Sequence, residues 1–224
     1  MRVRLLVAAC AAVGVWLVPA APASAATKCS GKGAKGIVST SSARVYSLPS
    51  KGERKIYACL LSQNKRRFLG WEDECQDMTA ASAFLLSGPY VGYVETSCSL
   101  VSGDQRVVVL NIKTNKIKHE APAVTNESGP ADDPSSYVTD LVMSRSGSVG
   151  WIGEYDKGSD GVGNEGDSRQ VRVLYDGASG LETLLHADIN IVPGSLALGP
   201  QGNGGFGYLY WQVGDQPRVG KLPK

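Results

Sequence analysis

The sequence predicts an all-β protein: a small β-propeller or propeller-like array of about four antiparallel four-stranded blades, the last blade incomplete. Three observations predict it. A glycine, an acid and a basic residue leading into a strand-like run occur four times, as GERKIYACL from Gly52, GDQRVVVL from Gly103, GDSRQVRVL from Gly166 and GDQPRVGKL from Gly214. The turns lie 51, 63 and 48 residues apart, and repeats of roughly 40 to 50 residues that each form a meander are the signature of propeller blades. No helical period intervenes, which weighs against a parallel α/β sheet. One twisted sheet leaves both its faces bare, so sheets stacked round an axis would cover one another.

The elements follow in chain order. Residues 1–25 read as a signal peptide: Arg2 and Arg4 precede an apolar run from Leu5 to Val18, and Ala23-Ser24-Ala25 supplies the small residues a signal peptidase accepts. The run of 14 residues falls short of the roughly 20 that span a bilayer, so the expectation is an exported chain with no membrane association once the signal is removed. Residues 26–35 form a glycine- and lysine-rich linker carrying Cys29, too poor in β-formers to donate a closing strand. The expected domain covers 36–224, with blades at about 36–70, 80–121, 137–188 and 193–222. Each turn is preceded by an alternating segment with an aromatic: ARVYSL, YVGYVET, SVGWIGEY and GFGYLYWQV. Three turns are followed by a further hairpin, of which VVVLNI-KTNK-IKHE is the clearest. The segments HEAPAVTNESGPADDPSS and DKGSDGVGNE lengthen the long interval and read as insertions.

The ending NIVPGSLALGP with YLYWQVGDQPRVGKL, together with VVVLNIKTNK and VRVLYDGASG, resembles the blades of TolB-like and WD-repeat-like propellers in exported bacterial proteins, most of them without assigned activity. The resemblance covers about residues 36 to 222. It implies a fold and a tendency to bind, and it carries over no catalytic residue.

Charge and cysteines narrow the function. The whole chain has 23 basic and 21 acidic residues; without Arg2 and Arg4 the remainder has 21 of each. A nucleic-acid binder shows a basic excess or stripe, so neutrality argues against one. The basic run NKRRF reads as a turn and a solvated edge strand. Past the signal four cysteines remain, Cys29, Cys59, Cys75 and Cys98, an even number that suits two disulfides in an exported protein. In the usual blade order Cys75 and Cys98 fall in loops at the same end, so the expected pairs are Cys75–Cys98 and Cys29–Cys59.

Candidate chemistry is sparse. DKGSDGVGNEGD, laid on a calcium-binding loop, offers Asp156, Asp160 and Asn164 as ligands, but Gly158 stands where a side-chain oxygen is needed. The competing expectation is a plain hairpin insertion and no cofactor. His119 and His186 are the two histidines, and His186 with Asp188 and Ser195 has the composition of a triad without any G-x-S-x-G elbow. The acidic loop WEDECQD, with Glu72, Asp73, Glu74 and Asp77, could supply the paired carboxylates of a glycosidase, or simply be a solvated connector. Tyr46, Tyr93, Trp151, Tyr210 and Trp211 recur at one place in each repeat, as packing between blades requires. Trp71 and Tyr155, expected in loops, are freer to meet a ligand, and with Glu72, Asp73 and Glu74 they form the expected binding set. The leading expectation is an exported, non-enzymatic binding module for a protein, peptide or glycan. The alternatives are a carbohydrate-active hydrolase or lyase, and a scaffold that pairs through the open edge of the last blade.

Overall fold

The structure, a computed structural model, describes residues 29–72, 79–97, 105–124, 136–155, 168–175, 182–200 and 207–222. Every regular element among them is a strand. A first antiparallel meander comprises β1 (Lys35–Ser39), β2 (Ala43–Ser50), β3 (Glu53–Leu60) and β4 (Lys65–Trp71). A second comprises β5 (Thr79–Ser87), β6 (Tyr90–Ser97), β7 (Gln105–Asn111) and β8 (Lys116–Pro122). A third comprises β9 (Ser136–Met143), β10 (Val149–Tyr155), β11 (Ser168–Leu174) and β12 (Thr183–Ala187). Three strands follow, β13 (Ala197–Leu198), β14 (Gly207–Val213) and β15 (Gln216–Leu222).

Alternation explains which side of each strand is buried. In β14, Gly207, Leu209 and Trp211 are buried while Tyr208, Tyr210 and Gln212 are exposed, the pattern of a sheet covered on one face. In β7 the run Val107–Leu110 is buried throughout, because that strand is covered on both. Val108 and Leu110 join a core with Val45, Ile56, Ala58 and Leu69 of the first meander. Val107 and Val109 face the other way, into a cluster with Val149, Trp151 and Leu174 of the third. The next cluster, Ile152, Val171 and Val173 with Leu209, Trp211 and Leu222, seals the third meander against the last three strands.

The expected propeller is not what forms. β1 to β8 make one eight-stranded mixed sheet, and the four-stranded sheet β12-β11-β10-β9 and the three-stranded sheet β13-β14-β15 stand separately. The join is a parallel bridge between Trp71 of β4 and Ala80 of β5, where a ring of independent blades requires two unconnected edges. Gly70 makes the approach possible: a Cβ there would stand 2.9 Å from the Thr79 carbonyl oxygen and 2.9 Å from the Ala81 Cβ. Nor does the array close. Among the described residues no strand pairing and no buried cluster joins β1–β4 to β13–β15, so these layers are stacked in series and form no closed ring.

The arginine that follows each of the first three repeated turns ties strands together. Arg54 reaches Glu72 at 2.7 Å and donates to Ser47 Oγ and to the Gly33 carbonyl. Arg106 lies between Glu95 and Glu120 on the flanking strands. Arg169 pairs with buried Glu154 at 2.9 Å and donates to the carbonyls of Ile189 and Ile191, fastening the chain that leads to the last sheet. Arg218 lies in the field of Asp188, which helps hold that carboxylate below its ordinary range after the backbone and side-chain amides of Asn190. Between the second and third meanders the indole Nε1–H of Trp151 donates to the Ala123 carbonyl at 2.8 Å. Gly153 lies against the same peptide, for a Cβ on it would fall 1.9 Å from the Ala123 oxygen.

Candidate aromatic and cationic face

Register across three strands builds the most distinctive surface. Arg44, Tyr46 and Leu48 share one face of β2, Lys55, Tyr57 and Cys59 the same face of β3, and Arg66 and Phe68 that face of β4. A bulge beside Ile56 and Tyr57 brings Trp71 opposite Lys55. The partners line up in three rows: Arg44, Cys59 and Arg66; Tyr46, Tyr57 and Phe68; Leu48, Lys55 and Trp71. The aromatic row continues ring to ring, Tyr46 to Tyr57 at 5.9 Å, Tyr57 to Phe68 at 5.8 Å and Phe68 to Trp71 at 6.0 Å. Three cations lie over these rings: Arg44 5.4 Å from the Tyr46 centroid, Arg66 5.2 Å from that of Tyr57, and the Lys55 ammonium 4.6 Å from that of Trp71.

The row grades from core to solvent. Tyr46 is 1% exposed and packs with Cys29 and Cys59, which form a disulfide, whereas Phe68 is 51% exposed. Burial pushes the Tyr46 phenol up, against the opposing pull of Arg66, which hydrogen-bonds it; the hydroxyl is therefore neutral at ordinary pH. Among the described residues Glu53 shares this strand face by alternation and is its one acid, against three cations. An exposed benzyl ring set between an indole and a phenol, with cations over its neighbours, suits a flat apolar ring or sugar face that carries negative charge.

The expected binding residues divide. Trp71 belongs to this face. Glu72 does not: it lies in a cluster with Lys35, Ser47 and Arg54, where Lys35 Nζ stands 3.5 Å from Oε1. The Arg54 Nε–H points at Ser47 Oγ, so its 2.7 Å contact with Glu72 is electrostatic and not an aligned hydrogen bond. Burial acts to raise the Glu72 pKa, but the Ser47 hydroxyl, Lys35 and Arg54 outweigh it and hold the carboxyl below its ordinary range. A carboxylate so held is a poor proton donor. Tyr155 closes β10 opposite Ser136 and Ser168. Asp73, Glu74, Cys75 and Cys98, and the candidate calcium ligands Asp156, Asp160 and Asn164, lie outside the described residues. Among the described residues no group of three or more His, Cys, Asp or Glu is arranged to hold a metal ion.

Of the notional triad, the serine hydroxyl is engaged elsewhere. Ser195 Oγ donates to the Val192 carbonyl at 2.6 Å and accepts from the Gln212 amide at 3.1 Å. His186 lies 6.1 Å from the Trp211 ring, with Nε2 3.9 Å from Asp188 Oδ2. His119 is buried within β8. Of the recurrent aromatics, Tyr46, Tyr93, Trp151 and Trp211 are buried, whereas Tyr210 is exposed. Sequence reasoning missed Tyr57, Phe68, Arg44, Lys55 and Arg66 as a unit. The available signal was the matching alternation of RVY, KIYAC and RRF once three strands are set side by side. No protein-family model matches the chain, and no curated protein is significantly similar to it.

Proposed function

We propose that the chain is an exported, non-catalytic binding module whose ligand is an acidic glycan, held on the face formed by Tyr57, Phe68 and Trp71 with Arg44, Lys55 and Arg66. The observation that carries the proposal is half-exposed Phe68, flanked by ring neighbours within 6.0 Å whose cations stand 5.2 Å and 4.6 Å from their centroids. Sugar rings present C–H faces that stack on aromatics, and a uronate carboxylate answers the guanidinium and ammonium groups. The signal-like N-terminus and the Cys29–Cys59 disulfide support a location outside the cytoplasm. No helix among the described residues is long and apolar enough to cross a membrane.

The test is retention of the chain, expressed from residue 26, on immobilised polyuronate and on a neutral glucan. The polyuronate should retain it in a salt-sensitive manner. Phe68→Ala and the pair Lys55→Gln, Arg66→Gln should each weaken binding by roughly tenfold, or about 1.4 kcal/mol. Equal retention on the neutral polymer, or wild-type affinity in both variants, would refute the assignment.

A further inference from the structure

We propose that the outer edge of β15 pairs with the same strand of a second copy, antiparallel, about a two-fold axis at Val219. The hydrogen-bond pattern of β14 shows which way the β15 backbone faces. The Gln212 amide donates to Ser195 Oγ, the Gln212 carbonyl accepts from Val192, and the Tyr208 carbonyl accepts from Gly199. All three therefore point away from β15. Gln212 is the register partner of Pro217 and Tyr208 of Lys221, and Tyr210↔Val219 lies midway between them. Antiparallel pairs alternate in kind, so Tyr210 and Val219 also turn their backbone groups away from each other. The Val219 amide and carbonyl thus face out of the sheet edge. Pro217 occupies the same class of position, where its lack of an N–H costs the sheet nothing, and it keeps the pairing region short.

The side chains suit a copy of themselves. Ala197, Tyr210 and Val219 form one row across the three strands, with Tyr210 44% and Val219 60% exposed. Pairing about Val219 extends this uncharged row into its mirror in the second copy. The same register sets Arg218 against the second copy's Gly220 and Lys221 against its Pro217, so no like charges stand directly opposite. The edge at the far end of the stack, β1, is a poorer template because a bulge interrupts it between Gly36 and Val38. Pairing of β15 with β1 would also be head-to-tail and open-ended.

Light scattering across a wide range of concentration tests the proposal. The chain should move from one mass to twice that mass. Val219→Glu, which sets two carboxylates across the axis, should raise the dimer dissociation constant about tenfold or more; circular dichroism checks that the variant is folded. Val219→Cys should oxidise to a covalent dimer, since Cα atoms of such a pair lie about 5.5 Å apart. Gln216→Cys should not, because Gln216 faces the second copy's Leu222. A strict monomer, an open-ended ladder of sizes, or a dimer indifferent to Val219→Glu and not captured by Val219→Cys would each overturn the assignment.

Discussion

Trp151→Phe tests how the sheets are joined. Trp151 is fully buried in the cluster between the second and third meanders, and its indole N–H supplies the acceptor bond of the equally buried Ala123 carbonyl. Phenylalanine retains most of the apolar contact, so two losses remain. Leaving a buried carbonyl without its donor costs about 1–3 kcal/mol. The smaller ring leaves a void of roughly 40 Å³, which at about 24 cal/mol per Å³ adds about 1 kcal/mol. The expected destabilisation is therefore about 2–4 kcal/mol. Equilibrium unfolding in urea measures it as a shift in midpoint at constant slope. Trp151→Ala, which also gives up the ring contacts, should cost more. A change below about 0.5 kcal/mol in Trp151→Phe, the scatter of ordinary surface substitutions, would refute the claim that this indole is a structural tie between sheets.

Three more predictions follow from the same packing. Gly153→Ala places a Cβ 1.9 Å from the Ala123 oxygen, a clash with backbone that no side-chain rotation relieves; it should cost about 3 kcal/mol or more and sharply reduce the yield of folded chain. Replacing Cys29 and Cys59 together by serine opens a crosslink across 30 residues and should lower unfolding free energy by about 3–4 kcal/mol in the same urea assay. Because its partners hold Glu72 below the ordinary carboxylate range, the stability it contributes is full above the unfolded value of roughly 4.3 and is lost as pH falls through the lower folded value. Glu72→Gln should accordingly unfold with a shallower acid dependence, and a variant whose acid profile matches the wild type would show that the cluster does not support the fold.

Much of the local structure was legible, because alternation and turn chemistry act over a few residues. The hairpins around Gly52 and Gly214 follow from a turn glycine between runs such as ARVYSL and IYACL, and Cys29–Cys59 is among the pairs an even cysteine count allows. The arrangement of the sheets was not legible. Whether β5 swings away from β4 or lies beside it depends on a peptide approach at Gly70 within contact distance of Thr79 and Ala81, and composition is blind to that. The aromatic face was hidden for a related reason. Tyr57 and Phe68 become neighbours only through the register of β3 on β4, and a slip of one residue would send either to the opposite face. Trp71 could be singled out as an isolated indole, but not that Lys55 covers it.

The serial stacking of the layers bears on how the molecule yields to stress. A layer with a neighbour on each side opens only when both contacts fail, whereas a terminal layer frays against one. Amide exchange should consequently be slowest along β7, β10 and β11 and fastest towards β1 and β15. The disulfide at Cys59 sits in the first meander, an end layer, so the covalent clamp is placed where cooperativity is thinnest. The ring-lined surface beside it is thereby kept in shape even when its own layer would otherwise be the first to breathe.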